Sequence, residues 1–237
     1  MGNRLESEEI ELLWKTNIRA DDIVNTVALC EKAMSIYDIN RNAFCTTYEN
    51  AVSECQTDDV TTAICMGYMD ATQAYLTELA GQGLTVEGDT NDLTSQIIIN
   101  GECITVDEND KINWYDCLNK AEVRFDDISS VVELSNDIMN DLNVRGRYFD
   151  TNLYIELFSQ CSGDITDRII SAYMNTVKAA IENSLDCDYD CEITTYENGM
   201  ASSYQITING MEYEEGTLLE DYIADKSEIE QDEPDLD

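Results

Sequence analysis

Asp59-Val60-Thr61-Thr62-Ala63-Ile64-Cys65-Met66-Gly67-Tyr68-Met69-Asp70 is answered further along the chain by Asp164-Ile165-Thr166-Asp167-Arg168-Ile169-Ile170-Ser171-Ala172-Tyr173-Met174-Asn175. Asp, Thr, Ile, Tyr and Met hold their places, and Asp70 becomes Asn175. The match extends in both directions. Ser53-Glu54-Cys55 recurs as Ser159-Gln160-Cys161, and Ala74 as Ala179. Upstream, Asp21-Asp22-Ile23, Val27, Leu29 and Met34 recur as Asp126-Asp127-Ile128, Val132, Leu134 and Met139. Downstream, Gln96-Ile97-Ile98-Ile99-Asn100-Gly101 recurs as Gln205-Ile206-Thr207-Ile208-Asn209-Gly210. The order is kept throughout, which unrelated amphipathic helices would not do, so the sequence reads as a tandem duplication.

Both copies read as the same series of elements. Leu5, Ile10, Leu12, Leu13 and Ile18 give residues 6–18 a helical period. Asp21 or Asp22 is the expected cap of a helix reaching about 37, with Ile23, Val27, Cys30 and Met34 on its apolar face. A third helix is expected over 42–55. A fourth runs over 59–80, capped by Asp58 or Asp59 and ended by Gly81 and Gly83. Asn100-Gly101 between β-branched runs then predicts a type I′ hairpin across Ile97–Val106. Copy two repeats the pattern with helices near 110–123, 126–142, 147–161 and 164–185 and a hairpin from Tyr204 to Glu214. A last helix is expected over 217–226. The fold class is therefore α+β, mainly helical: a leading helix over 1–19, repeat units over 20–124 and 125–226, and a disordered acidic tail over 227–237. Trp14, Trp114, Tyr115, Tyr148, Tyr154 and Tyr173, at helical spacing, are expected in the core.

Composition narrows the function. The 237 residues hold 50 Asp and Glu, 13 Lys and Arg and no His, for a net charge of −37. Without His there is no His-based triad, His-ligated metal or histidine general base. With so many acids, paired carboxylates carry no catalytic signal, and no nucleophile elbow or phosphate-binding glycine loop occurs. No enzyme activity, cofactor or metal is expected. Asp186-Cys187-Asp188-Tyr189-Asp190 with Glu197 imitates the start of a calcium loop, but Cys191 stands where such a loop needs Gly, so a solvated acidic loop is the better reading. Asp89, Asn91 and Asp92 are looser still. The negative field opposes direct binding of nucleic acid or anionic membrane. No stretch of about 20 apolar residues suggests a membrane span. The first nine residues lack the apolar core of a signal peptide.

Nine cysteines without a Cys-x-x-Cys favour periplasmic or secreted use, with reduced buried thiols as the alternative. Only Cys55 and Cys161 occupy equivalent places in the two copies. Cys161 has Cys187 and Cys191 as candidate partners, and the connectivity stays open.

In copy one, Cys55, then Cys65-Met66-Gly67-Tyr68, then Cys103 on the hairpin form an ordered set. Over residues 20–124 this resembles the Tai-type immunity proteins of type VI secretion, which look like the small helical HdeA fold. The resemblance implies a periplasmic, disulfide-bearing, non-enzymatic protein that neutralises a toxin by binding it, with Cys65–Cys103 as a bridge. Ile104 stands where that pattern has Pro, and copy two has Ile170 and Glu212 in place of the two cysteines. Read without the family, Cys-x-Gly-Tyr is a close helix-packing point, Gly67 and Ala172 both being small.

The acidity has three readings: a surface that steers onto a basic protein, a decoy for a nucleic-acid-binding protein, or solubility in a salty medium, as for an extracellular structural module. Asp126, Glu133, Asp137 and Asp141 form a helical row of possible interface acids. Copy one has Asp21, Ala28, Lys32 and Ile36 there, so the row is not maintained by the duplication. The function expected is therefore docking on, and neutralising, a basic protein partner, with a nucleic-acid mimic second. Oligomeric state is left open.

Overall fold

A computed structural model of the protein describes residues 4–35, 41–55, 57, 59–80, 96–99, 101–106, 111–144, 149–161, 163–185, 189–195 and 201–212. Among these residues there are eight helices and five short strands, so the protein is mainly helical with small antiparallel sheets, as the sequence predicts. No described helix is long and apolar enough to cross a membrane. The chain divides into two compact units, Met1–Ser129 with Ser162–Ile169, and Ser130–Cys161 with Ile170–Asp237.

In the first unit, α1 (Ser7–Lys15) opens with Glu9 Oε2 accepting from the Glu6 N–H at 2.6 Å. Glu8 and Glu9 stand in its first turn and Lys15 in its last, matching the helix dipole. It ends in a left-handed cap: Asn17 has φ +58°, and the N–H of Ile18 returns to the carbonyl of Leu13 at 3.0 Å. The next helix, α2 (Ala20–Met34), begins one to two residues before the predicted cap. Arg19 is the extended residue at its start, and Asp21 and Asp22 lie inside the first turn. The displacement has a cause: Arg19 is bound from outside its own helix, as described below.

The apolar face of α2 buries Ile23, Val24, Val27, Leu29, Cys30, Ala33 and Met34. It packs on α4 (Val60–Ala80), on α5 (Trp114–Lys120) and on the hairpin of β1 (Gln96–Ile99) and β2 (Glu102–Thr105). Ile99 pairs with Glu102, so the connection is the expected two-residue one, and Gly101 has φ +81°. α3 (Arg41–Glu54) and α4 pack together, and Gly67 is a point of tight approach. A Cβ there would stand 2.4 Å from Val52 Cγ2 and 2.8 Å from the Val52 backbone nitrogen. The glycine of the Cys-x-Gly-Tyr motif is thus the packing point that its small size suggests. Beside it Phe44, Tyr48 and Tyr68 form a buried edge-to-face cluster, with Tyr68 5.0 Å from Phe44 and 5.1 Å from Tyr48. Their hydroxyls are used: Tyr48 donates to the Ala121 carbonyl at 2.9 Å and Tyr68 to Glu31 Oε1 at 2.8 Å.

The helices α6 (Phe125–Asp141) and α8 (Ile165–Leu185) each begin within the first unit and end within the second. With α7 (Thr151–Gln160), capped by Asp150 accepting from Asn152 N and Leu153 N, they supply the second unit's core. Tyr154 and Tyr173 are buried there beside Phe149, with ring centroids 5.2–6.2 Å apart. The sheet departs from expectation. β4 (Ala201–Ile208) turns at Asn209-Gly210, φ +53° and +80°, into β5 (Met211–Glu212). A further strand, β3 (Tyr189–Thr195), pairs antiparallel with β4, giving three strands in place of two. Since Tyr189 to Thr195 is laddered strand, the calcium-loop spacing is a coincidence of sequence. The Val-free but Ile- and Thr-bearing run Ile193-Thr194-Thr195 carried the strand signal.

Three aromatic expectations need correction. Trp14 is 63 % exposed, and Trp114 and Tyr115 are only half-buried. Arg4 lies 4.8 Å over the Trp114 ring, and the Tyr115 hydroxyl donates to Glu9 Oε1 at 2.6 Å. Asp58, Gly81, Gly83, Asp89, Asn91, Asp92, Tyr148, Asp186–Asp188, Glu197, the 217–226 helix and the 227–237 tail lie outside the described residues.

Candidate interaction surface

The cations come first, because their placement decides what the acids can do. Arg19 Nε donates to Asp22 Oδ2 at 2.7 Å, and Nη1 and Nη2 clasp both oxygens of Asp59 at 2.7 and 3.0 Å. The Arg19 N–H donates to Thr61 Oγ1, whose hydroxyl donates to the Asn17 carbonyl, both at 2.8 Å. Asp59 also accepts from the Thr62 N–H at 2.6 Å and so caps α4. Burial pushes the Asp59 carboxyl up, but Arg19 and Thr62 outweigh it and hold it below its ordinary value.

The same bonds recur 105 residues on, at Arg124. Its Nε donates to Asp127 Oδ2 at 2.7 Å, Nη1 donates to Asp164, and Nη2 reaches Asp167 Oδ1 at 3.1 Å. The Arg124 N–H donates to Thr166 Oγ1 at 2.8 Å, and that hydroxyl donates to the Glu122 carbonyl. Asp167 takes the place of Thr62, so the second clasp holds three carboxylates. These bonds, with Arg168 Nη1 donating to Ser53 Oγ at 3.0 Å, are why Ser162–Ile169 belongs to the first unit.

Glu122 is the odd member. It occupies the left-handed position, φ +57°, that Asn17 occupies in the first clasp. Asn adopts that conformation readily; Glu adopts it at a cost in strain. Its Oε2 is buried without a hydrogen-bond partner. Burial, then the charges of Glu49 and Asp164, push its carboxyl up to about 7, against hydrogen bonds from the Ile165 backbone N–H and from Cys45. Folded Glu122 therefore binds a proton between about pH 4.5 and 7 that the unfolded chain releases, so its contribution to stability falls as pH rises through that window. We expect Glu122→Asn to raise stability by roughly 1–2 kcal/mol at pH 7.5, by relieving strain and an unpaired acceptor. The gain should shrink at pH 5, which urea melts at both pH values would show.

Other cations are also spent inside the first unit. Arg168 is 2 % exposed. Lys120 bridges Glu31 at 2.8 Å and Asp116 at 3.1 Å, and Lys32 Nζ donates to the Thr105 carbonyl at 2.7 Å. Asp126, Glu133, Asp137 and Asp141 are all exposed on α6, as a row at helical spacing should be.

The cysteines fall into two environments. Cys30, Cys45, Cys55, Cys65, Cys103, Cys117 and Cys161 are free thiols. Cys65 is buried on α4, its thiol pushed up to about 12 by burial, whereas Cys103 is exposed on β2, so the Cys65–Cys103 bridge is not formed. Cys30 and Cys117 are buried likewise, pushed up to about 12 and about 11. Cys161 is the half-buried residue closing α7, and Cys191 lies on β3 opposite Ile206. Cys187 is outside the described residues. With native protein, iodoacetamide should label Cys103 fastest and leave Cys30, Cys65 and Cys117 unmodified until unfolding, a pattern that peptide mapping reads directly.

Cys55 closes α3 and opens onto a groove between α3 and α4 with a volume of about 560 Å³. Thr47, Asn50, Ala51, Met66, Ala71 and Ala74 line it, with the carboxylates of Glu54 and Asp70 at its rim. The Cys55 thiol donates to Met66 Sδ at 3.7 Å. Burial raises the Asp70 carboxyl above its ordinary value, although the residue reaches the surface. Sequence reasoning singled out Cys55 for a disulfide and passed over its neighbours. It also passed over Arg19 and Arg124, which stand at equivalent places two residues before the repeated Asp-Asp-Ile.

No family model, curated protein or solved structure matches this chain.

Proposed function

We propose that the protein is a non-enzymatic acidic binding protein, arisen by tandem duplication, that docks on and neutralises a basic protein partner in the manner of an immunity protein. One observation carries the reading. From Asn42 to Asp110 the chain has thirteen acids and no Lys or Arg, in the very segment that forms α3, α4 and the first hairpin. Of these, Glu54, Asp70, Glu78 and Glu102 are exposed with no ion pair among the described residues, whereas Arg19 and Arg124 are held in carboxylate clasps 105 residues apart, Lys120 is bridged to Glu31 and Asp116, and Arg168 is buried. Such a surface accelerates encounter with a basic partner and rejects acidic ones. The shared clasp geometry at Arg19 and Arg124 supports duplication, and the Cys55…Cys65-x-Gly67-Tyr68…Cys103 order supports the likeness to Tai-type proteins.

Mimicry of nucleic acid is the second reading, favoured by the exposed α6 row. A phosphate lattice would need such rows maintained, and copy one does not keep this one. The test is competition on the native complex: duplex DNA is titrated against the protein bound to its basic partner at several salt concentrations. Simultaneous binding is expected. Mutual exclusion with a steep salt slope would replace this reading with mimicry.

A further inference from the structure

We infer that the α3/α4 groove is the docking seat for a basic amphipathic helix of the protein partner, with one of its arginines held between Glu54 and Asp70. This rests on the reading of a basic protein partner and names the place where it binds.

Three features of the groove fit that occupant. First, its charge has no internal counterpart: neither Glu54 nor Asp70 has an ion pair among the described residues, and no Lys or Arg lines the groove. Asp70 is partly desolvated there, a situation that an incoming guanidinium improves because it restores a counter-charge to the carboxylate. Second, its walls are low. Ala51, Ala71 and Ala74 leave an open trough in which a helix can lie close, the geometry of helix-in-groove recognition. Third, its floor is soft: Met66 and Cys55 present polarizable sulfur, which adapts to the face of a guanidinium or an apolar side chain.

The second copy supplies the contrast. Where copy one has Glu54 and Asp70, the repeat register places Gln160 and Asn175, the uncharged amides of the same shape. Ala51 and Ala71 correspond to Leu157 and Thr176, which are bulkier. Yet the cysteine is kept: Cys55 and Cys161 both end their helices, half-buried. One half thus carries two carboxylates, Glu54 and Asp70, and the other a single one, Glu156 in the place of Asn50, already bound by the Gln160 amide at 3.0 Å, each with a thiol at the same position.

Those thiols make the test. The full native chain is alkylated with iodoacetamide, with and without a synthetic helical peptide bearing arginines along one face and alanine and leucine along the other. Labelling is read site by site by peptide mapping, and binding is followed in parallel by fluorescence anisotropy. At peptide ten times its Kd, about one site in eleven is empty, so the Cys55 rate should fall about tenfold. Cys161 and Cys103 should change less than about twofold. Glu54→Gln with Asp70→Asn should abolish the protection, and Glu133→Gln with Asp137→Asn should leave it intact, all four positions being exposed and the fold checked by circular dichroism. Equal protection of Cys55, Cys161 and Cys103, or protection that survives the Glu54/Asp70 variant, would overturn the groove as the seat. Equal protection of Cys55 by spermine would overturn a helix as the occupant. Peptide binding without Cys55 protection would overturn this inference and leave the basic-partner reading standing; no binding even at low salt would overturn both.

Discussion

Replacing Gly67 by Ala should lower stability by about 2 kcal/mol, which for a chain of this size moves Tm down by roughly 4–8 °C. The added methyl meets Val52 of α3, and the contact at 2.8 Å is with the backbone nitrogen, which no rotamer change removes. The two helices must therefore separate. Overpacking of this kind costs about 1–3 kcal/mol, and the backbone contact puts it at or beyond the upper end. Alanine returns up to about 1 kcal/mol through its higher helix propensity. The net loss should appear in both thermal and urea melts, with the m-value unchanged. Ala172, at the place of Gly67 in the recurring sequence motif, is buried, and Ala172→Gly should cost only the propensity difference and a lost methyl contact.

Arg124→Met should cost a further class of energy, about 2–3 kcal/mol. Removing one partner of a buried ion pair costs about 3–5 kcal/mol, because the remaining charge stays desolvated. Arg124 is about one-third exposed, which reduces that figure, but the Asp127 side chain is only 7 % exposed and would lose its counter-charge. Arg124→Lys should not restore the loss, since a compact ammonium does not reproduce the planar fork whose three separate nitrogens reach Asp127, Asp164 and Asp167. Arg19→Met should cost less: Arg19 is more exposed and holds two carboxylates. Denaturant titration of the three variants gives the order directly. Equal, near-zero effects would mean that the clasps are ornaments of the surface.

Much of the architecture was legible in the chain because it is written in local signals. The helices follow from apolar periodicity, and both Asn-Gly turns follow from the need for positive φ between β-branched runs. What escaped the sequence depended on contacts between distant residues. Asp21 and Asp22 look like caps, but Thr61, forty residues away, binds the Arg19 N–H and sets the helix start earlier. β3 was hidden by acids that mimic a loop, and its pairing with β4 is a tertiary fact. Trp14 has core spacing on α1 yet lies exposed, since periodicity cannot tell which side of a short helix the rest of the chain will cover. The groove was the least legible feature. Its walls come from two helices distant in sequence, and its charge acquires meaning only when Glu54 of α3 and Asp70 of α4 are seen to line one groove.

The central claim is that this protein binds a basic protein surface at a built site, and that its charge does more than keep it in solution. The most direct test is an equilibrium titration of the intact protein with the arginine-bearing helical peptide at 50 and 300 mM NaCl (roughly 14 and 6 Å of screening length). The account predicts saturation at one peptide per chain, weaker at the higher salt, with a residual affinity there that the Glu54→Gln, Asp70→Asn variant loses. Accumulation of many peptides per chain without saturation, identical in the variant and abolished by salt, would contradict it.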